Sequence, residues 1–123
     1  WTLEPVSLPP GTIPPIVTMP TTAGTGAEMA SASMCTDTTK RIKICVEHQD
    51  AAKDFTVIAD PELTLTLPPH LTAWTGMDAF THAFEALCVD MYHPMCDGIA
   101  LESMRLIKDW LPVVFADGGN LEG

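Results

Sequence analysis

Asp78 and His82 are the residues whose types and spacing are suited to chemistry. They stand four apart in Thr75-Gly76-Met77-Asp78-Ala79-Phe80-Thr81-His82-Ala83-Phe84-Glu85-Ala86, a stretch with helical periodicity. One turn apart, a carboxylate and an imidazole stack on the same face of a helix. An ionised Asp and a neutral His placed so can grip a single divalent cation from one side. On spacing alone, a surface hydrogen bond or weak ion pair is the commoner outcome. Two donors also fall short of the three that a catalytic metal site draws from its protein. Glu85 shares the polar stripe and reads as a structural carboxylate. His48, His70 and His93 fall in or beside expected turns and read as exposed.

A second candidate is Thr21-Thr22-Ala23-Gly24-Thr25-Gly26-Ala27-Glu28, a small-residue loop turning into a short helix. Its glycines let backbone N–H groups come close to a ligand, and its three hydroxyls add short donors. It lacks both the P-loop pattern and the G-x-G-x-x-G fingerprint, so by itself it is an ordinary strand-to-helix turn.

The elements that must position these residues can be read from breakers and periodicity. Ile16-Val17-Thr18-Met19, bounded by Pro15 and Pro20, is predicted as a buried strand. Met34 to Thr36 and Ile42 to Val46 flank a polar turn and form a predicted β-hairpin. Phe55 to Ala59 is a further strand, and Pro61 forces Asp60 to be extended. The loops 37–40 and 48–53 read as variable. Helical periodicity runs from His70 to Val89, and a second helix begins at Pro94. Ala100, Met104, Ile107 and Leu111 form the buried stripe of that second helix, which Pro112 is expected to end or kink. On the first helix Met77, Phe80, Phe84 and Leu87 form an apolar face, and Ala79, Ala83 and Ala86 a small one. The helix is therefore expected deep in the protein, its polar stripe facing solvent or a cleft.

Composition bounds the function. The 123 residues are 46% hydrophobic and 18% charged, as in a globular chain, with a net charge of −10. That acidity argues against a nucleic-acid footprint or docking on an anionic membrane, and no apolar run reaches the roughly 18 residues of a membrane span. Cys35, Cys45, Cys88 and Cys96 show no metal-ribbon spacing and read as buried or semi-buried thiols in a reducing cytoplasm. Both ends look cut, and the change of texture near Pro68-Pro69 suggests two half-domains.

Taken together, Pro20 to Glu28, Asp60-Pro61-Glu62-Leu63-Thr64, Leu67-Pro68-Pro69 and Thr75 to Ala86 occur in an order that resembles the iron-containing (group III) alcohol dehydrogenases. The resemblance runs from about Pro15 to Glu122, and its Gly-Met-Asp-Ala-x-Thr-His-Ala-x-Glu segment is specific. It implies an incomplete fragment. Residues 1–67 would be the C-terminal part of an α/β NAD(P)-binding domain with a hairpin, and residues 68–123 the first helices of an all-α metal-binding domain. It also implies that Asp78 and His82 are two of four ligands of Fe(II) or another divalent metal such as Zn(II), the remaining histidines lying downstream. Thr21, Thr22, Thr25, Met34, Lys43 and Leu63 would line the NAD or NADP site. No catalytic residue beyond the metal ligands is assigned.

The implied activity is hydride transfer between a small alcohol, or its aldehyde or ketone, and the nicotinamide. The full-length enzyme is expected to be a cytoplasmic homo-oligomer and the slice alone inactive and aggregation-prone. One departure is Ala27-Glu28-Met29-Ala30, where the family commonly has Ser-Glu-Val-Thr, which puts the details of cofactor contact in question. The rivals are a hydroxyacid–oxoacid transhydrogenase or metal-free reductase of the same fold, a metal-dependent hydrolase using Glu85, and an inert packing module.

Overall fold

Pro15 and Pro20 delimit the first regular element. The computed structural model describes Pro9 and residues 11–47 and 55–123. Strand β1 (Ile16–Thr18) pairs in parallel with β4 (Phe55–Val57), matching Ile16 with Phe55 and Thr18 with Val57. The Ile58 amide donates to the Thr18 carbonyl at 2.9 Å and extends the ladder by one bond. Both strands are shorter than the apolar runs in the sequence. Val17 is 60% exposed, so β1 is not the fully buried strand its composition suggests.

Strands β2 (Ala32–Asp37) and β3 (Ile42–Glu47) form the expected antiparallel hairpin, with Met34 opposite Cys45 and Thr36 opposite Lys43. Opposed residues share a face and alternate residues return to it, so Met34 and Lys43 lie on one face of the hairpin. Its turn is built by Asp37. The carboxylate accepts from the Thr39 amide at 2.9 Å, the Thr39 hydroxyl at 2.6 Å and the Lys40 amide at 3.1 Å. Arg41 closes the turn at φ 54°, in the left-handed region.

Asp60 is extended (φ −98°, ψ 111°) before Pro61, as the proline requires, and its side chain caps the 3₁₀ turn Pro61–Thr64 by accepting from the Glu62 amide. Helix α1 (Pro69–Cys88) and helix α2 (Pro94–Ala116) both start with proline, whose missing N–H costs nothing at that position. His93 caps α2, its Nδ1 accepting from the Cys96 amide at 3.3 Å, and Asp97 adds a favourable charge to the first turn. Pro112 neither ends nor visibly interrupts α2, which runs on to Ala116 and is closed by the Asp117 amide bonding the Val113 carbonyl. One lost N–H in the last two turns is outweighed there by packing of the Ala100–Leu111 stripe.

The two helices meet along small residues. Gly76 and Ala83 of α1 and Ala100 of α2 are buried. A Cβ on Gly76 would sit 2.5 Å from the Leu111 Cδ1, so Leu111 packs onto α1 where a side chain is missing. The cysteines are less buried than expected: Cys35, Cys88 and Cys96 are exposed and Cys45 half-buried, all of them free thiols. His48 and the whole of the loop 48–53 lie outside the described residues. No described helix is long and apolar enough to cross a membrane.

The residues group into two units. One takes in the chain up to Met19 with Ala27–Ala59, the other Pro20–Gly26 with Asp60–Gly123. The threonine loop joins the helices because Gly24 lies against Thr75, where a Cβ would approach the Thr75 Cβ to 3.1 Å.

Two outcomes are expected. Hydrogen bonding, first from the Thr39 hydroxyl and then from backbone amides, holds the Asp37 carboxyl below its ordinary value. Its contribution is therefore present above about pH 4 and disappears as acid brings the pH down through the lowered value. Amide chemical shifts of Thr38–Arg41 should lose dispersion over that range, and Asp37→Ala should remove the dependence. Gly76→Val should lower stability by about 1–3 kcal/mol, read from a denaturant midpoint, and Leu111→Ala in the same chain should recover part of the loss.

Candidate functional site

Helix α1 carries the central pair. Asp78 and His82 project one turn apart, the Asp78 Oδ2 lying 3.8 Å from the His82 Nε2. Donors of a divalent ion with bonds of about 2.1 Å can be separated by no more than about 4.2 Å, so these two atoms fit a single cation. Oxygen and nitrogen donors suit a borderline metal such as Fe(II) or Zn(II). Among the described residues, no group of three His, Cys, Asp or Glu side chains comes together, so Glu85 does not complete a site with the pair.

The pair is not deep. The side chains of Asp78 and His82 are 45% and 54% exposed. On the neighbouring apolar face, Met77 and Phe84 are half-exposed as well. The expected depth of α1 is therefore not observed, since the helix packs on α2 through its alanine face and leaves its other sides accessible. His82 stands on the wall of an open cleft of about 550 Å³ between α1 and α2, with Gly24, Ala79, Ala83 and Ala100 also lining it.

The threonine loop reaches this pair. Thr25 donates its hydroxyl hydrogen to the Asp78 Oδ2, across 53 residues of sequence. Gly24 permits the close approach of the loop to α1, and Gly26, at φ +71°, takes a left-handed conformation that side chains resist. The 3₁₀ turn Ala27–Met29 follows. Thr21 and Thr22 are exposed in the same loop. Leu63, half-buried, sits in the Pro61–Thr64 turn, its amide bonded to the Asp60 carbonyl at 3.2 Å. Met34 and Lys43 belong to the other unit, exposed on their shared hairpin face.

Two features of the site had no clear signal in the sequence. The Thr25–Asp78 bond joins segments too distant for any periodicity to connect. The role of His93 as a cap was marked only by its place before Pro94, where a residue with a short acceptor often starts a helix. The expected exposure of His70 and His93 is observed.

Comparison with known proteins places this geometry in context. Residues 72–123 match the family model described as Fe-containing alcohol dehydrogenase family, C-terminal. The chain is 40% identical over 110 residues to choline dehydrogenase of Bacillus subtilis (strain 168), covering 89% of this chain and 27% of that protein. It is 38% identical over 108 residues to NAD-dependent methanol dehydrogenase of Bacillus methanolicus, covering 88% of this chain and 28% of that protein. Among solved structures, sulfoacetaldehyde reductase from Bifidobacterium kashiwanohense in complex with NAD+ superimposes with a TM-score of 0.83 at 36% identity. That match covers 88% of this chain and 28% of the reductase. The chain thus spans less than a third of the length of the relatives it matches. Residues 72–123 thus match the iron-containing alcohol dehydrogenase family, and the strands and hairpin before them are similar to the same relatives and solved structure.

Proposed function

We propose that the chain supplies part of the metal site and part of the cofactor site of an NAD(P)-dependent alcohol dehydrogenase, interconverting a small alcohol with its aldehyde or ketone. The observation that carries this reading is the 3.8 Å approach of Asp78 and His82, with Asp78 also held by the threonine loop. Asp78 Oδ2 and His82 Nε2 are the atoms that would hold the metal. Asp78 brings charge neutralisation and His82 a borderline nitrogen donor. When bound, a divalent cation supplies Lewis acidity toward the alcohol or carbonyl oxygen, and a nicotinamide cofactor supplies the redox capacity.

The work of this chain is then to place atoms. Thr21, Thr22, Thr25 and Leu63, and separately Met34 and Lys43 of the hairpin, are assigned as cofactor-lining residues. Ala27 and Ala30 bring no hydroxyls to the turn after the loop. We assign residues 1–67 to the NAD(P)-binding domain and residues 68–123 to the metal-binding domain. Two donors do not make a catalytic site, and the 123-residue chain alone is expected to be inactive. A cytoplasmic setting is proposed for the whole enzyme. A homo-oligomer is proposed for the whole enzyme.

Retention of both Asp78 and His82 favours the metal-dependent reading over a metal-free reductase of the same fold. A hydrolase would require Glu85 beside the metal, and Glu85 forms no cluster with the pair.

In the full-length enzyme, Asp78→Asn and His82→Ala should each lower bound metal and alcohol-dependent NAD(P)H formation. Both losses should exceed the roughly ten- to hundredfold typical of an outer-sphere change, with the far-UV circular dichroism unchanged. Undiminished metal content together with undiminished turnover in both variants would dispose of the proposal.

A further inference from the structure

We propose that Thr25 is a positioning residue for the metal-binding carboxylate, so that the threonine loop and the metal site are one hydrogen-bonded device. The inference rests on the reading of Asp78 and His82 as metal donors. It goes beyond that reading, and beyond a place for Thr25 along the cofactor, by assigning its hydroxyl to Asp78.

Three observations carry it. The Thr25 hydroxyl donates to the Asp78 Oδ2, the oxygen that also faces His82 Nε2. The approach is built into the backbone: Gly24 lies so close to Thr75, three residues before Asp78, that a Cβ there would be 3.1 Å from the Thr75 Cβ and 3.4 Å from its carbonyl oxygen. The loop leaves this approach through Gly26 at φ +71°, which fixes the chain direction just after Thr25. A half-exposed aspartate on a helix is otherwise free to change rotamer, and ordering it costs entropy. A hydroxyl bond to one oxygen restrains the rotamer and leaves the remaining lone pairs of the carboxylate available.

Outer-sphere partners of this kind orient metal ligands, and their loss commonly costs about ten- to hundredfold in metal affinity. The chemistry also restricts the loop. A threonine hydroxyl has one hydrogen, and with that hydrogen on Asp78 it can meet a cofactor group only as an acceptor.

The test uses the full-length protein stripped of metal and titrated with Co(II), read by its visible absorption and by paramagnetic shifts of the His82 ring protons. Thr25→Val should weaken Co(II) binding about ten- to hundredfold and alter the absorption band, while Thr25→Ser, which keeps the hydroxyl, should bind as the parent does. If Thr25→Val disturbs the circular dichroism, Thr25→Ala is compared with Thr25→Ser. Weak binding by alanine and parental binding by serine supports the proposal, and equal binding by the two overturns it. Parental binding by Thr25→Val alongside loss in Asp78→Asn overturns the role of Thr25 and leaves the metal site standing. Parental binding by both Asp78→Asn and His82→Ala removes the metal site, and the role of Thr25 with it.

Discussion

The absence of side chains at Gly24 and Gly76 is the constraint on which the helical unit depends. At Gly76 it lets Leu111 close onto α1, and at Gly24 it lets the threonine loop lie on Thr75. These approaches fix α1 against α2 and against the loop within a turn of Asp78. Ala83 and Ala100 are the buried apolar side chains among the described residues, and Met104, Ile107 and Leu111 add half-buried surface. The Arg105 bridges to Glu102 and Asp109, at 2.7 and 2.9 Å, are exposed and contribute little to stability. Geometry at the site is therefore a product of close backbone packing more than of burial.

Much of this was legible in the sequence where local rules govern. Prolines marked the start of both helices and the limits of β1, and the Asp37 turn lay between two alternating apolar runs. The Asp78–His82 pair followed from helical spacing, and the specific Gly-Met-Asp-Ala-x-Thr-His segment identified the family. Burial was less legible. Periodicity ranks the faces of a helix but does not say how many neighbours cover them, so Met77 and Phe84 read as core and are half-exposed. The cysteines misled for the same reason, because their usual burial is a statistical habit that needs a covering layer. Pro112 does not end α2: a proline near a helix end loses one bond, and the helix runs on past it to Ala116.

The site combines an exposed pair of donors with a tethered carboxylate. An exposed pair is easy to reach, but exposure also leaves side chains free to wander. The bond from Thr25 meets that difficulty without burying either donor. It also ties a residue of a strand-following loop to a residue of a helix, so a shift in one is felt at the other.

The cap on α2 has a bearing on which imidazoles can compete for metal. His93 accepts from the Cys96 amide through Nδ1, so that nitrogen bears no hydrogen and is already occupied. Its remaining ring nitrogen is then the one carrying the hydrogen. Coordination through Nδ1 would cost the helix its first bond, and coordination through Nε2 would require the tautomer the cap does not use. A histidine that looks available by its exposure is thereby committed to holding the start of α2.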